Sequence, residues 1–412
     1  MKRGAIVSLL LLLAFQLQAQ VTDVLDIVKG NRNFQAGCEA HYSFGEYART
    51  QAPEGYEPFY ISHYGRHGSR YAWDQGTYTR FRGYLDEADQ KGLLTERGRK
   101  LYEDYVKFAF IPTINAGDLS RLGWEQHIAI ARQVASDFPE VFRDSCEVYA
   151  YASTSQRAIV SMAAFCTSLA ATVPSLKIEG NSLHENMTFV NAPNAPKELK
   201  APKAERLPET EDPYRFRERI VDIDDILSVI FTDAGFLEER KLQCVTDLHD
   251  LWRGHWNYDD SPLFENIFTQ NQILQLWEAD NYLLYYDHML NRPAHMPLIQ
   301  NILTLANEAI AGNGVAAHLR FGHDTVITPL FGLFNINDCA HPVEKTEDVK
   351  YWFQSYNTSM AATFLLVLYR SQASDEILFK VLRNGIEVSL PQLTPVQGPY
   401  YKWNDLQEWF GI

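Results

Sequence analysis

Arg66-His67-Gly68-Ser69-Arg70 follows the apolar run Phe59-Tyr60-Ile61 and sets one imidazole between two guanidiniums. Each guanidinium offers a planar fork of donors that matches the oxygens of a phosphoryl group. A neutral imidazole held among them is a nucleophile toward phosphorus and would form a phosphohistidine. Gly68 is expected to let the backbone come close to the bound anion. A helix opening just after the cluster would add N–H donors and a partial positive charge. The bland alternative is a polar turn at a strand end, because short Arg/His/Gly clusters recur by chance.

Two later segments repeat the pattern. Val148, Tyr149 and Tyr151 suggest a strand, Ser153-Thr154-Ser155 a helix cap, and Ile159, Met162, Ala163 and Cys166 one apolar helical face. Arg157 then lies in a first helical turn, where the dipole disfavours a cation unless an anion is bound. His323-Asp324 follows the apolar segment Val315–Gly322 and precedes Thr325-Val326-Ile327-Thr328-Pro329-Leu330, again a strand ending where a helix begins. Three such ends on one edge of a parallel sheet would form a ligand site of the kind open α/β sheets place there. Singly, Arg157 also reads as a solvated arginine and Asp324 as a capping residue.

Taken together, Arg66-His67-Gly68-Ser69-Arg70, Ser153-Thr154-Ser155-Gln156-Arg157 and His323-Asp324 resemble, in content and order, the histidine acid phosphatase branch of the histidine phosphatase superfamily. Leu94-Thr95-Glu96-Arg97-Gly98 and Leu119-Ser120-Arg121-Leu122-Gly123 are similar to that family's Leu-Thr-x-x-Gly segments. The Ser-Thr-Ser-Gln-Arg stretch with Ser161-Met162-Ala163-Ala164-Phe165 resembles the multiple inositol polyphosphate phosphatases. Those proteins usually carry His-Ala-Glu at the proton-donor motif, whereas this chain has His323-Asp324-Thr325, as in phytases and acid phosphatases of the His-Asp type. The subfamily therefore stays open.

The resemblance implies roles. His67 would attack phosphorus. Arg66, Arg70, Arg157 and His323 would hold the equatorial oxygens. Asp324 would protonate the leaving alkoxide and then take a proton from the hydrolytic water. It implies no cofactor and no metal, since arginines supply the positive charge that a divalent ion supplies elsewhere. No His-Glu-x-x-His, Cys-x-x-Cys or calcium-loop pattern occurs in the chain. A free carboxyl titrates near ~3.9, so work as an acid near neutrality leads us to expect a raised pKa at Asp324 and an acidic optimum.

Met1-Lys2-Arg3 and the stretch Ile6–Phe15, with Ala19 as a cleavage position, resemble a secretory signal peptide. The stretch is shorter than the ~20 residues of a membrane span, and the mature chain is expected to lack one. The five cysteines carry no pairing signal. A net charge of -15 argues against a nucleic-acid partner and requires any anion site to concentrate cations locally. Arg80, Arg82 and Lys91 are candidates for a rim that binds further phosphates, against the plainer reading of solvated charges.

The periodicity suggests an α/β fold, a mostly parallel central sheet flanked by helices. The resemblance adds an inserted, mainly helical cap domain. Residues 1–20 read as signal, 21–190 as the first part of the core, 191–297 as the cap and 298–412 as the second part of the core. Asn384-Gly385 predicts a hairpin turn between two late strands. The aromatic-rich 213–290 region reads as packed core rather than a ligand platform. His63, His127 and His318 read as structural, while Arg320, His249 and His255 could reach the site. The expected partner is a small phosphorylated substrate, foremost inositol polyphosphates such as phytate, with sugar or aryl phosphates as the competitor. A phosphotransferase or an inactive phosphate-binding relative fits less well, because both His67 and Asp324 are kept. The sequence leaves the oligomeric state open.

Overall fold

The structure, a computed structural model, describes residues 23–45, 47–143, 145–200 and 204–411. The signal-like segment and its cleavage position lie outside the described residues.

A single sheet organises the chain. Its strands are β1 (Tyr56–Arg66), β2 (Glu147–Ala152), β3 (Lys177–Asn181), β4 (Val315–Gly322), β5 (Thr363–Ser371), β6 (Ser374–Arg383), β7 (Ile386–Glu387) and β8 (Tyr401–Lys402). They lie in the order β3-β2-β4-β1-β5-β6-β7, with β8 also on β6. The core pairs β3-β2, β2-β4 and β4-β1 are parallel, and the pairs beyond β1 are antiparallel. β4 is buried along nearly its whole length, as expected of a strand covered on both faces. Lys177 and Glu179 of edge strand β3 are exposed. β6 and β7 form the expected hairpin, with Asn384 at φ 52° and Gly385 at φ 79°, the conformation that favours Asn-Gly.

The helices used below are α1 (Gln75–Lys91), α2 (Glu96–Phe108), α3 (Arg121–Asp137), α4 (Gln156–Thr172), α5 (Lys241–Gly254), α6 (Gln270–Leu284), α7 (Met296–Ile310) and α8 (Asp324–Leu333). α7 and α8 cover one sheet face, packing Ile299, Ile302, Val326 and Leu330 against Tyr60, Tyr64, Phe364 and Leu366. α3 and α4 cover the other, packing Ile130, Val134, Met162 and Phe165 against Val148, Ala150, Leu319 and Leu365. The alternation of Leu365 and Leu366 between the two cores is the period of a strand.

α4 turns slightly from its expected face. Ser161, Met162, Phe165 and Leu169 are buried, whereas Ala163 is exposed, because the helix wedges between α3 and the sheet. The helical unit also draws on more chain than the 191–297 insertion. α1 and α2, which fall inside the expected first core segment, share one hydrophobic core with α5 and α6: Tyr78, Phe81, Leu101 and Tyr105 pack with Val245, Leu248, Leu251 and Leu276. Apolar faces of α1 and α2 have no sheet beneath them and bury against the inserted helices instead. Trp252 and Trp277 are buried packing residues.

Candidate active site

The parallel strands β1, β4 and β2 end side by side. Arg66 is the register partner of Gly322, and Ala152 that of Phe321. The residues that follow, His67, His323 and Ser153, therefore meet at one sheet edge, where His323 caps α8 and Ser155 precedes α4. Above them is a cavity of about 720 Å³ whose lining includes His67, Arg70, Arg157, His323 and Asp324. Arg66 lies directly behind it, fully buried.

His67 Nδ1 lies 2.9 Å from the Gly68 carbonyl oxygen. A carbonyl only accepts, so Nδ1 carries the proton and Nε2 keeps the lone pair. Burial, and then Arg66, Arg157, Arg70 and His323, hold the imidazole pKa far below its ordinary value, so the ring is neutral. The His323 ring stands edge-on to it, with centroids 5.5 Å apart. His323 Nε2 pairs with Ser153 Oγ at 2.8 Å, and burial, then Arg157, bring its pKa down to about 3.

The arginines are held differently. Arg66 Nη2 donates to Asp324 Oδ2 at 2.8 Å, while Nη1 donates to the Thr358 carbonyl at 2.9 Å and to the carbonyl of Cys38. Arg70 Nη2 donates to Glu39 Oε1 at 3.0 Å. Arg157 reaches only the Gly117 carbonyl, at 3.4 Å, and has no carboxylate partner among the described residues. Burial, then repulsion from Arg70, lowers its pKa to about 10. The buried Nε atoms of Arg66, Arg70 and Arg157 lack acceptors. A partly buried guanidinium without a counter-ion, beside a second one, is a site for an anion.

Asp324 departs from expectation. Burial alone would raise its pKa, but Arg66, followed by His288, Arg70 and His323, outweighs burial and holds it below the usual carboxylate range. Paired with Arg66, the carboxyl group is ionised, not protonated.

Gly68 also has a different cause. A methyl group there would lie 2.4 Å from the Gly123 carbonyl oxygen and 2.5 Å from its Cα, and one on Gly123 would lie 2.2 Å from the Ser69 carbonyl oxygen. The Gly68 N–H donates to Ser161 Oγ at 3.1 Å rather than toward the cavity. No helix opens directly after the cluster, since α1 begins at Gln75. Instead the start of α3 clamps the loop: Ser120 N donates to the Ser69 carbonyl at 2.9 Å, and Ser69 N donates to Gln126 Oε1 at 2.8 Å. The two Leu-Thr/Ser-x-x-Gly segments share one construction. Thr95 and Ser120 accept from the N–H of Gly98 and Gly123 as helix caps. Each glycine then meets a backbone carbonyl, Ile230 for Gly98 and Ser69 for Gly123.

The rim candidates are elsewhere. Arg80 pairs with Asp247, Arg82 with Asp86 and Lys91 with Glu87, and none lines the cavity. Arg320 is fully buried against Asn301 and Ser62, away from the pocket. His318 bonds Tyr60 Oη at 2.9 Å, and His63 and His127 are buried. His249 and His255 do not line the cavity either. Sequence reasoning missed Glu39, Arg253, Asp280 and His288, all of which do. They lie far from the motifs along the chain and sit in no pattern of their own.

The family model for the histidine phosphatase superfamily (branch 2) matches residues 65–384. No curated protein sequence matches the chain. Among solved structures, multiple inositol polyphosphate phosphatase of Bifidobacterium longum, in complex with inositol hexasulfate, superposes with a TM-score of 0.74 at 16% identity, covering 92% of this chain and 97% of that one. The phytase from D. castellii gives 0.67 at 15%, over 92% and 84%. Hafnia alvei phytase in complex with tartrate gives 0.56 at 13%, over 87% and 97%. These likenesses establish the fold.

Proposed function

The chain belongs to the histidine phosphatase superfamily, branch 2, and on that premise we propose an exported, metal-independent phosphomonoesterase that works through a phosphohistidine on His67 and acts on inositol polyphosphates. The observation that carries this reading is the neutral His67 ring, with its proton on Nδ1 and its Nε2 lone pair free, beside Arg157, which has no carboxylate partner among the described residues.

In the proposed reaction Nε2 attacks phosphorus in line and the ester P–O bond breaks. Arg66, Arg70, Arg157 and His323 offset the charge on the equatorial oxygens. Asp324 gives its proton to the leaving alkoxide. That proton arrives with the substrate, because a phosphoryl group seated among the arginines weakens their hold on the carboxylate. Asp324 then takes a proton from water, which attacks phosphorus, breaks the P–N bond and frees phosphate and His67.

A cavity of about 720 Å³ exceeds the needs of one phosphoryl group and supports a bulky substrate. The complex of the Bifidobacterium longum protein with inositol hexasulfate supports the same class. Acids in the lining, Asp280 and Asp287, favour the competing reading, a broad phosphatase of sugar or aryl phosphates. Export rests on the Met1–Ala19 pattern. No helix among the described residues is long and apolar enough to cross a membrane.

Rapid quench with a labelled phosphate ester tests the mechanism. The expected result is an acid-labile phosphoenzyme, absent in His67→Ala and unaffected by a chelator. Turnover without such an intermediate would defeat the proposal. A panel of esters separates the two substrate readings, and the N-terminus of the secreted protein tests export.

A further inference from the structure

We infer that Glu39 sets substrate choice: its carboxylate occupies Arg70 and repels a second phosphoryl group on that side, so the pocket selects esters whose scissile phosphate is flanked by hydroxyls. The inference rests on the phosphatase reading and narrows its substrate class to inositol phosphates that are only partly phosphorylated.

Glu39 closes a short turn, Gly37–Glu39, that lies 28 residues before His67 and outside the region matched by the family model. It is 8% exposed and lines the cavity. Oε1 stands 3.0 Å from Arg70 Nη2 and 3.7 Å from Arg66 Nη2. One carboxylate oxygen is therefore shared by two of the guanidiniums assigned to the scissile phosphoryl group. Its position is fixed by the motif itself. Asn257 Nδ2 donates to the Glu39 carbonyl at 3.0 Å, and Asn257 Oδ1 accepts from Ser69 Oγ at 2.7 Å. The Cys38 carbonyl, one residue earlier, is held by Arg66.

The charge around the cavity points the same way. Among the described residues its lining has three arginines, Arg70, Arg157 and Arg253, against four carboxylates, Glu39, Asp280, Asp287 and Asp324. Arg253 is taken by Asp250 at 2.6 Å and by Asp280 at 3.1 Å. Once Arg157 has bound the first phosphoryl group, no lining arginine among the described residues remains without a carboxylate. A ring bearing a phosphate on every carbon would press a dianion against Glu39 in a confined space, where like charges are costly. A hydroxyl at that position would instead donate to the carboxylate.

The test compares the full-length protein with Glu39→Gln, which keeps an acceptor for Arg70, and with Glu39→Ala. Calorimetric titrations use inorganic sulfate and inositol hexasulfate as probes. Kinetics use inositol hexakisphosphate and an inositol monophosphate. Removing one like charge at close range should tighten the hexasulfate by about tenfold or more relative to sulfate, and kcat/KM should shift toward the hexakisphosphate in the same sense. Equal changes for both probes and both esters would mean that Glu39 only positions Arg70, and would overturn the inference. Binding needs no turnover, so a chain inactive on every ester would sink the proposed function while the titrations still decide on Glu39. If Glu39→Ala fails to fold, the near-isosteric glutamine variant gives the answer.

Discussion

Arg66 Nη2 bonds Asp324 Oδ2 at 2.8 Å across the ends of two neighbouring parallel strands, so the group proposed as the acid is ion-paired with a guanidinium assigned to the phosphoryl group. Binding of a phosphate dianion should therefore draw a proton onto Asp324. Calorimetry in buffers of different ionisation enthalpy is expected to show proton uptake that Asp324→Asn abolishes. The same variant should slow esters with poor alkoxide leaving groups by about 10²–10⁴-fold and spare aryl phosphates with good ones. An equal loss on both would remove Asp324 from the role of donor.

Arg157 is proposed as a cation kept for a ligand. Without a carboxylate partner among the described residues it costs stability in the free protein, as its lowered pKa of about 10 reflects. Arg157→Met should leave the free protein as stable or more so, while phosphate affinity falls by about tenfold or more, as expected when a charge-assisted contact is lost. Thermal melts with and without phosphate check this. A variant that is destabilised yet binds phosphate normally would contradict it.

Gly68→Ala tests the clamp. With backbone atoms of Gly123 at 2.4 and 2.5 Å from the added methyl, the loop or the start of α3 must shift. Overpacking of this kind costs about 1–3 kcal/mol, and the displaced His67 should lose most activity. Near-normal kcat would show that the contact relaxes freely.

Acid should destabilise the protein. Burial, first among the causes, takes His63, His127, His318 and His323 to about 3 and His295 to about 4. A histidine with a lowered folded pKa binds protons more readily when unfolded. Below its unfolded value, near ~6.5, stability then drops with pH, by up to about 1.4 kcal/mol per unit for each such group until the folded value is reached. Asp324, also lowered, adds stability above the ordinary carboxyl pKa that is lost as pH falls through its folded value. Tm measured between about pH 7 and 4 should decline steadily. A flat or rising Tm would contradict the burial of these rings. The acid side of an activity profile is thus expected to be set by unfolding.

Asp324 and Gly68 show where reading the sequence stops short. Both were marked by their motifs, yet the raised pKa expected at Asp324 and the anion contact expected at Gly68 gave way to a neighbour distant in the chain: Arg66 for the carboxyl group, Gly123 for the glycine. The rim cations fail for the same reason, since Asp247, Asp86 and Glu87 claim them.

Chemistry carried by side-chain type, and strand ends marked by an apolar run breaking into polar residues, are local properties. His67, Arg157 and His323-Asp324 could therefore be found from the sequence alone, along with the α/β class and the Asn384-Gly385 hairpin. Charge state, the partner of each cation and the walls of the cavity arise only when segments hundreds of residues apart come within hydrogen-bond distance. Glu39, 285 residues from Asp324 and sharing Arg66 with it, entered the site through tertiary structure alone.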